Sequence, residues 1–250
     1  MRDTWGMMRD REKAVVILAI FAHPDDESFG VAGTMAKYSA AGVGTALICA
    51  TRGEAGQSSG LADSAEALAA LRARELECAA GAAGVGEVHL LDWPDGGGAG
   101  WDLPRLAAQL SRLIRGIKPE VIITFDADGI TRHPDHVAVH RATLQALQGA
   151  PDRLGVRRLF FQVVTCEEEA SPEGPEIACV PPEAVDLTVD IRPFEAIKRR
   201  ALECHRTQAA DTHWMLDLPD GSLAAEHYQL VWDAQGWQPA AGADNLLAAL

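Results

Sequence analysis

The chain has 250 residues, 48% of them hydrophobic and 23% charged, with 22 Lys plus Arg against 36 Asp plus Glu and a formal net charge of -14. This composition excludes collagen-like, coiled-coil and largely disordered classes, and the length fits one large domain. The acidic balance argues against a nucleic-acid or anionic-membrane partner, because both attract positive charge. Cys49, Cys78, Cys166, Cys179 and Cys204 are dispersed without C-x-x-C pairing. An odd, scattered set reads as free thiols in a reducing cytoplasm. The longest apolar run, 14–22, is far short of the ~20 residues a membrane helix needs. It leads directly into Ala22-His23-Pro24-Asp25-Asp26-Glu27 without a small-x-small cleavage site, so it reads as a buried strand and not as a signal peptide.

In chain order, residues 1–12 form a loose polar leader and 13–250 a single domain. Residues 14–21 are apolar on both faces, the mark of a central parallel strand. Helical spacing over 33–41 stops at Gly42. A second buried strand, 44–51, precedes a Gly/Ser-rich loop at 53–60 and an Ala/Leu/Glu/Arg helix at 64–83. Strand 87–92 is followed by Gly96-Gly97-Gly98, helix 103–117, strand 121–125, helix 136–147 and strand 159–165. The remainder is less regular: a Pro/Glu-rich loop at 166–182, an alternating strand at 185–191, a helix at 193–206 and a last strand at 228–232. This βαβ alternation predicts a Rossmann-like α/β fold, a doubly wound, mostly parallel sheet with helices on both faces.

Ligands of such sheets bind outside the carboxyl ends of the strands. Polar clusters follow four of the predicted strands, at 23–26, 51–54, 92–95 and 126–136, and so share one rim. His23 and Asp26 stand three apart just after the first strand, where an imidazole and a carboxylate can converge on an ion, with Asp25 beside it. His136, from His133-Pro134-Asp135-His136, supplies a third ligand. Two His and one carboxylate are typical of catalytic zinc, which keeps a position open for water. Either cluster alone reads as a turn or helix cap; two on one rim make a metal site the better reading. The same donors describe a non-haem Fe(II) oxygenase, although the βαβ pattern and the His spacing are unlike one. A non-catalytic nucleotide-binding module would need G-x-G-x-x-G after the first strand or G-x-x-x-x-G-K-S/T, and neither is present.

The two His-Pro-Asp blocks resemble the LmbE-like (PIG-L) family of zinc-dependent N-acetylglucosaminyl deacetylases. Further segments resemble that family in its order: Thr51-Arg52-Gly53-Glu54-Ala55-Gly56, Arg72-Ala73-Arg74-Glu75-Leu76, Pro94-Asp95-Gly96 and His205-Arg206-Thr207-Gln208. The resemblance implies one Zn2+ per chain, or another divalent metal, on His23, Asp26 and His136, with Asp25 as general base and His133 stabilising the oxyanion. It implies that Arg72 and Asp95 hold sugar hydroxyls or the aglycone of an amino-sugar substrate. Arg132 stands where the family often has Gly, and reads as narrowing the pocket or meeting an anionic substrate group.

Other residues carry weaker expectations. Arg72 on its own reads as a solvated charge, and His205 as a helix C-terminal residue favoured by the dipole. Asp126 and Asp128 read as orienting a ligating His or as loop formers. His89, His140, His213 and His227 read as structural. Trp93, Trp101, Trp214, Trp232 and Trp237 read as packing, with a sugar ring able to stack on one near Asp95. Residues 245–250 form an apolar segment suited to contact with a second copy in a homo-oligomer.

Overall fold

The structure, a computed structural model, describes residues 15–148, 154–166 and 176–250, with side-chain surroundings from Ile17 onward. The predicted leader and most of the 166–182 loop lie outside the described residues. β1 (Val15–Phe21), β2 (Gly44–Thr51), β3 (Glu87–Trp93), β4 (Val121–Phe125) and β5 (Arg158–Val163) pair in parallel within a seven-stranded sheet of order β3-β2-β1-β4-β5-β7-β6. β7 (Ala225–Asp233) runs antiparallel between β5 and β6 (Leu187–Asp190). The central strand is apolar on both faces because both are covered: Ile17, Leu18, Ala19 and Ile20 are fully buried. Helices α2 (Ala32–Ala40) and α3 (Ala65–Ala82) pack with α7 (Glu195–Cys204), and α4 (Leu103–Ile117) packs with α6 (Pro134–Leu147). These are the two helical layers the alternation requires.

Local chemistry sets the boundaries. Ser64 caps α3 by accepting the Ala67 N–H, and Asp102 caps α4 by accepting the Arg105 N–H, each taking up an amide that has no partner inside its helix. Three short helices escape the sequence pattern: α1 (Asp26–Gly30), α5 (Gly129–Arg132) and α8 (Ala209–Leu216). β7 extends well beyond the expected 228–232. It buries Glu226, whose carboxylate accepts the N–H groups of Gly33 and Thr34 at the start of α2 and the ammonium of Lys198.

One expectation is corrected. The cysteines are not free thiols: Cys78 pairs with Cys204 and Cys166 with Cys179, leaving Cys49 buried and unpaired. Cys78 and Cys204 are 126 residues apart and meet only because α3 packs on the end of α7. The expectation of a cytoplasmic location rested on unpaired thiols and loses that support. The segment 245–250 is anchored to the fold through Leu246. Leu246 is fully buried, its N–H and the Asn245 carboxamide oxygen both meet the Tyr38 hydroxyl, and its carbonyl accepts from Arg158. Arg158 itself is buried, paired with Asp233 and stacked over the Trp237 ring at 3.8 Å. Among the described residues no helix is long and apolar enough to cross a membrane.

Alkylation in denaturant without reductant should label one cysteine of the five, Cys49, and prior reduction should expose the other four. Full labelling without reductant would contradict the pairing.

Candidate metal centre and active site

β1 and β4 lie side by side where the strand order turns from β2 and β3 on one side to β5 on the other. Connections leaving adjacent strands in opposite directions open a crevice at their carboxyl ends. The segment after β1 carries His23, Pro24, Asp25 and Asp26 into α1, and the segment after β4 forms α5 and then α6 with His133 and His136. Phe125, the last residue of β4, stacks flat on the His136 ring at 4.1 Å.

The protons of the two imidazoles facing the crevice are committed elsewhere. His136 Nδ1 is 2.8 Å from the Gly129 carbonyl. A carbonyl only accepts, so Nδ1 donates and Nε2 presents a lone pair. His23 Nε2 lies 3.1 Å from Asp135 and 3.0 Å from Asp95; between carboxylates it donates, and Nδ1 presents its lone pair. His23 Nδ1 and His136 Nε2 are 3.0 Å apart, with Asp26 oxygens 3.6 Å from the first and 3.3 Å from the second. Ligand atoms at about 2.0–2.1 Å from a tetrahedral ion stand about 3.3 Å apart, so donor types and spacing both fit a divalent metal. His133 adds a ring nitrogen within 4.8 Å of the nitrogens of His23 and His136.

The electrostatics agree with the geometry. Burial alone would lower the His23 ring, yet Asp135, Asp95 and Asp26 hold it up at about 10, so this point demands positive charge. Burial would raise Asp26, but His136 and His23 hold its carboxyl below the usual carboxylate range. Asp25 is different: burial pushes it up against the opposing Arg72 guanidinium, to about 6. The His133 ring is pushed down by burial and by the neighbouring rings of His23 and His136. Its Nδ1 accepts the Asp135 N–H at the start of α6, so the neutral ring carries its proton on Nε2.

The orienting partners differ from those expected. Asp126 does not touch an imidazole; it accepts the Ile130 N–H and shapes the turn whose Gly129 carbonyl holds His136. Gly129 has φ +64°, and a Cβ there would lie 2.6 Å from the His136 Cβ. Asp135, which the sequence did not single out, is fully buried, accepts N–H groups from Gly96 and Gly98, and fixes His23. Orienting carboxylates of this kind set the tautomer of a ligating His.

Arg72 is also corrected. It is 3% exposed, and its guanidinium donates to the Gly53 and Pro24 carbonyls and to Asp25 Oδ2 at 2.9 Å. It is therefore no solvated charge: it holds the Asp25 carboxylate, and its Nε has no partner among the described residues. Arg132 is exposed, forms an ion pair with Glu176, and takes φ +56°, the left-handed conformation that glycine adopts without cost. Asp95 accepts the Ala55 N–H and meets His23, and burial offset by these partners leaves it at about 2. Trp101 is packed inward with its indole N–H on the Pro94 carbonyl, so of the two tryptophans near Asp95 only the half-buried Trp93 offers a face. His205 does stand at the C-terminal end of α7, but it is buried there, 1% exposed and 2.7 Å from Glu27. His140 is buried on the Phe125 carbonyl, in a structural place.

Known proteins resemble this chain in sequence and fold. The family described as PIG-L, GlcNAc-PI de-N-acetylase, matches residues 18–147, and this chain belongs to that family. A 1D-myo-inositol 2-acetamido-2-deoxy-alpha-D-glucopyranoside deacetylase of Rhodococcus jostii (strain RHA1) is 31% identical, over 92% of this chain and 96% of that protein. The conserved protein TT1542 from Thermus thermophilus superposes with a TM-score of 0.63 at 26% identity, covering 88% of this chain and 95% of that one. GalB, the 4-carboxy-2-hydroxymuconate hydratase from Pseudomonas putida KT2440, also superposes with a TM-score of 0.63, at 18% identity over 87% and 96% of the two chains. A hydratase on this fold means that the fold alone does not choose the reaction.

Gly129→Ala should weaken metal binding about 10- to 100-fold, the usual cost of disturbing a ligand's orienting partner. Metal titration of the apoprotein measures it, and unchanged affinity would remove the Gly129 turn from the site.

Proposed function

We propose that this chain is a metal-dependent hydrolase that removes the N-acetyl group from an N-acetylglucosamine-type conjugate, releasing acetate and a free amine. The observation that carries this reading is the pair of facing imidazole lone pairs joined by Asp26, with a raised carboxyl, Asp25, beside them. We take residues 13–250 as one deacetylase domain, with one divalent ion per chain on His23, Asp26 and His136. A donor set of two imidazoles and one carboxylate favours zinc. An ion held there would acidify a water and polarise the acetyl carbonyl.

The chain's own groups do the rest. Asp25, held by Arg72 and with its carboxyl raised toward neutrality, takes the proton of the attacking water. His133 presents Nε2–H to the oxyanion that forms as the carbonyl carbon becomes tetrahedral. The proton gathered at Asp25 goes to the departing nitrogen, which leaves as an amine and not as an amide anion. Asp95 uses two of its acceptor sites on His23 and Ala55 and has others for a sugar hydroxyl. We assign no substrate contact to Arg132. The relative from Rhodococcus jostii is named for a glucosaminide of an inositol, so a small polyol aglycone is the first to test. The oxygenase alternative is not favoured, because relatives matching most of this chain are named deacetylases.

Amine release from a panel of N-acetylglucosaminides, run beside metal analysis, tests the reading. Asp25→Asn should keep its metal and lose turnover by about 10²–10⁴-fold, the range of general acid–base catalysis. His136→Ala should lose the metal as well. Turnover surviving in Asp25→Asn would remove Asp25 as the base, and stoichiometric iron with little zinc would count against the hydrolase.

A further inference from the structure

Asp25 sits at φ +130°, a backbone conformation that residues with a side chain adopt only when their surroundings impose it. Arg72 holds its carboxylate and the Pro24 carbonyl before it, and the Asp25 carbonyl accepts the Ser28 and Phe29 N–H groups. The remaining group, the Asp25 N–H, is held by a side chain: Glu27 Oε2 accepts it at 3.0 Å. Glu27 is 4% exposed, and its other oxygen accepts from the Ser28 hydroxyl at 2.6 Å and from His205 Nε2 at 2.7 Å. All these partners are donors, so the carboxylate is fixed in direction as well as in place. His205 is almost wholly buried, and burial, which lowers its ring, is outweighed by Glu27, so the net direction is upward.

His205 reaches this point on a rigid mount. Its neighbour Cys204 is bonded to Cys78 in α3. Two residues on, the Thr207 N–H and hydroxyl both donate to Glu75, again in α3. α3 also carries Arg72. One helix thus reaches Asp25 from two directions: through Arg72 onto the carboxylate, and through His205 and Glu27 onto the backbone amide. We propose that Glu27 and His205 are positioning residues for the reaction, a buried pair that holds the backbone of Asp25 in the conformation from which its carboxylate faces the metal centre. This accounts for two sequence features the chemistry leaves unused, the Glu closing the first His-Pro-Asp-Asp-Glu block and the late His205-Arg206-Thr207-Gln208 segment.

The inference rests on Asp25 as the base, so Asp25→Asn is assayed beside the new variants. Glu27→Gln and His205→Ala are measured for kcat, KM, metal content and thermal unfolding. A misplaced base should lower kcat about 10- to 100-fold, with KM nearly constant, metal content unchanged and unfolding well above the assay temperature. His205→Gln, which restores an N–H donor toward Glu27, should recover most of the lost kcat. A pair that only stabilises the fold would lower the unfolding temperature without this kcat loss or its rescue. If His205→Ala does not fold, Ser28→Ala removes one donor to Glu27 and should lower kcat severalfold in a folded protein. Wild-type kcat in Glu27→Gln and in a folded His205→Ala, or in Ser28→Ala where it replaces it, with Asp25→Asn inactive, would overturn the positioning role and leave the base standing. An active Asp25→Asn would remove the base and this role together.

Discussion

Two imidazole nitrogens facing each other 3.0 Å apart in a buried crevice call for positive charge between them, a proton or a metal ion. That constraint organises the rest of the site. The Gly129 carbonyl takes one ring proton and the carboxylates of Asp135 and Asp95 take the other, so both lone pairs converge. Asp26 adds its charge from the side, its carboxylate tied to the N–H groups of Ala22 and His23. Each of these fixings uses a neighbouring strand end, which is why the site belongs to the junction of β1 and β4.

The two adjacent aspartates show how environment divides labour. Asp26 faces two imidazoles and is held below the usual carboxylate range; Asp25 faces a guanidinium in a dry setting and is raised to about 6. One residue of spacing and the positive φ of Asp25 put the carboxylates into opposite surroundings. Pairs of titratable groups driven apart in this way mark acid–base assignments. Arg72, which the family resemblance assigns to the sugar, is part of that division: its charge keeps the carboxyl from rising further.

The strands buried on both faces were legible because their composition is nearly uniform, and α4 because its fifteen residues are long enough for a helical period to show. The helices α1 and α5 were not, being too short for a 3.6-residue period to accumulate. β7 was legible only in its middle, since buried Glu226 breaks the apolar pattern and is satisfied by partners far away in sequence. The convergence of the two His-Pro-Asp blocks could be read from strand order alone. The roles of Glu27, Asp135 and His205 could not: each depends on a partner that only folding supplies. The cysteine pairs were hidden for the same reason.

β7 is the seventh strand in chain order and yet an interior one, with β5 on one side and β6 on the other. During synthesis β5 therefore waits with an open edge until the whole stretch between Val163 and Ala225 has emerged, and the amides opening α2 wait for Glu226. The half of the molecule that bears the chemistry is written first but closed late. A nascent chain halted before β7 would expose a flat apolar edge suited to pairing with another chain, which makes the reversed strand a seal on assembly as much as a member of the sheet.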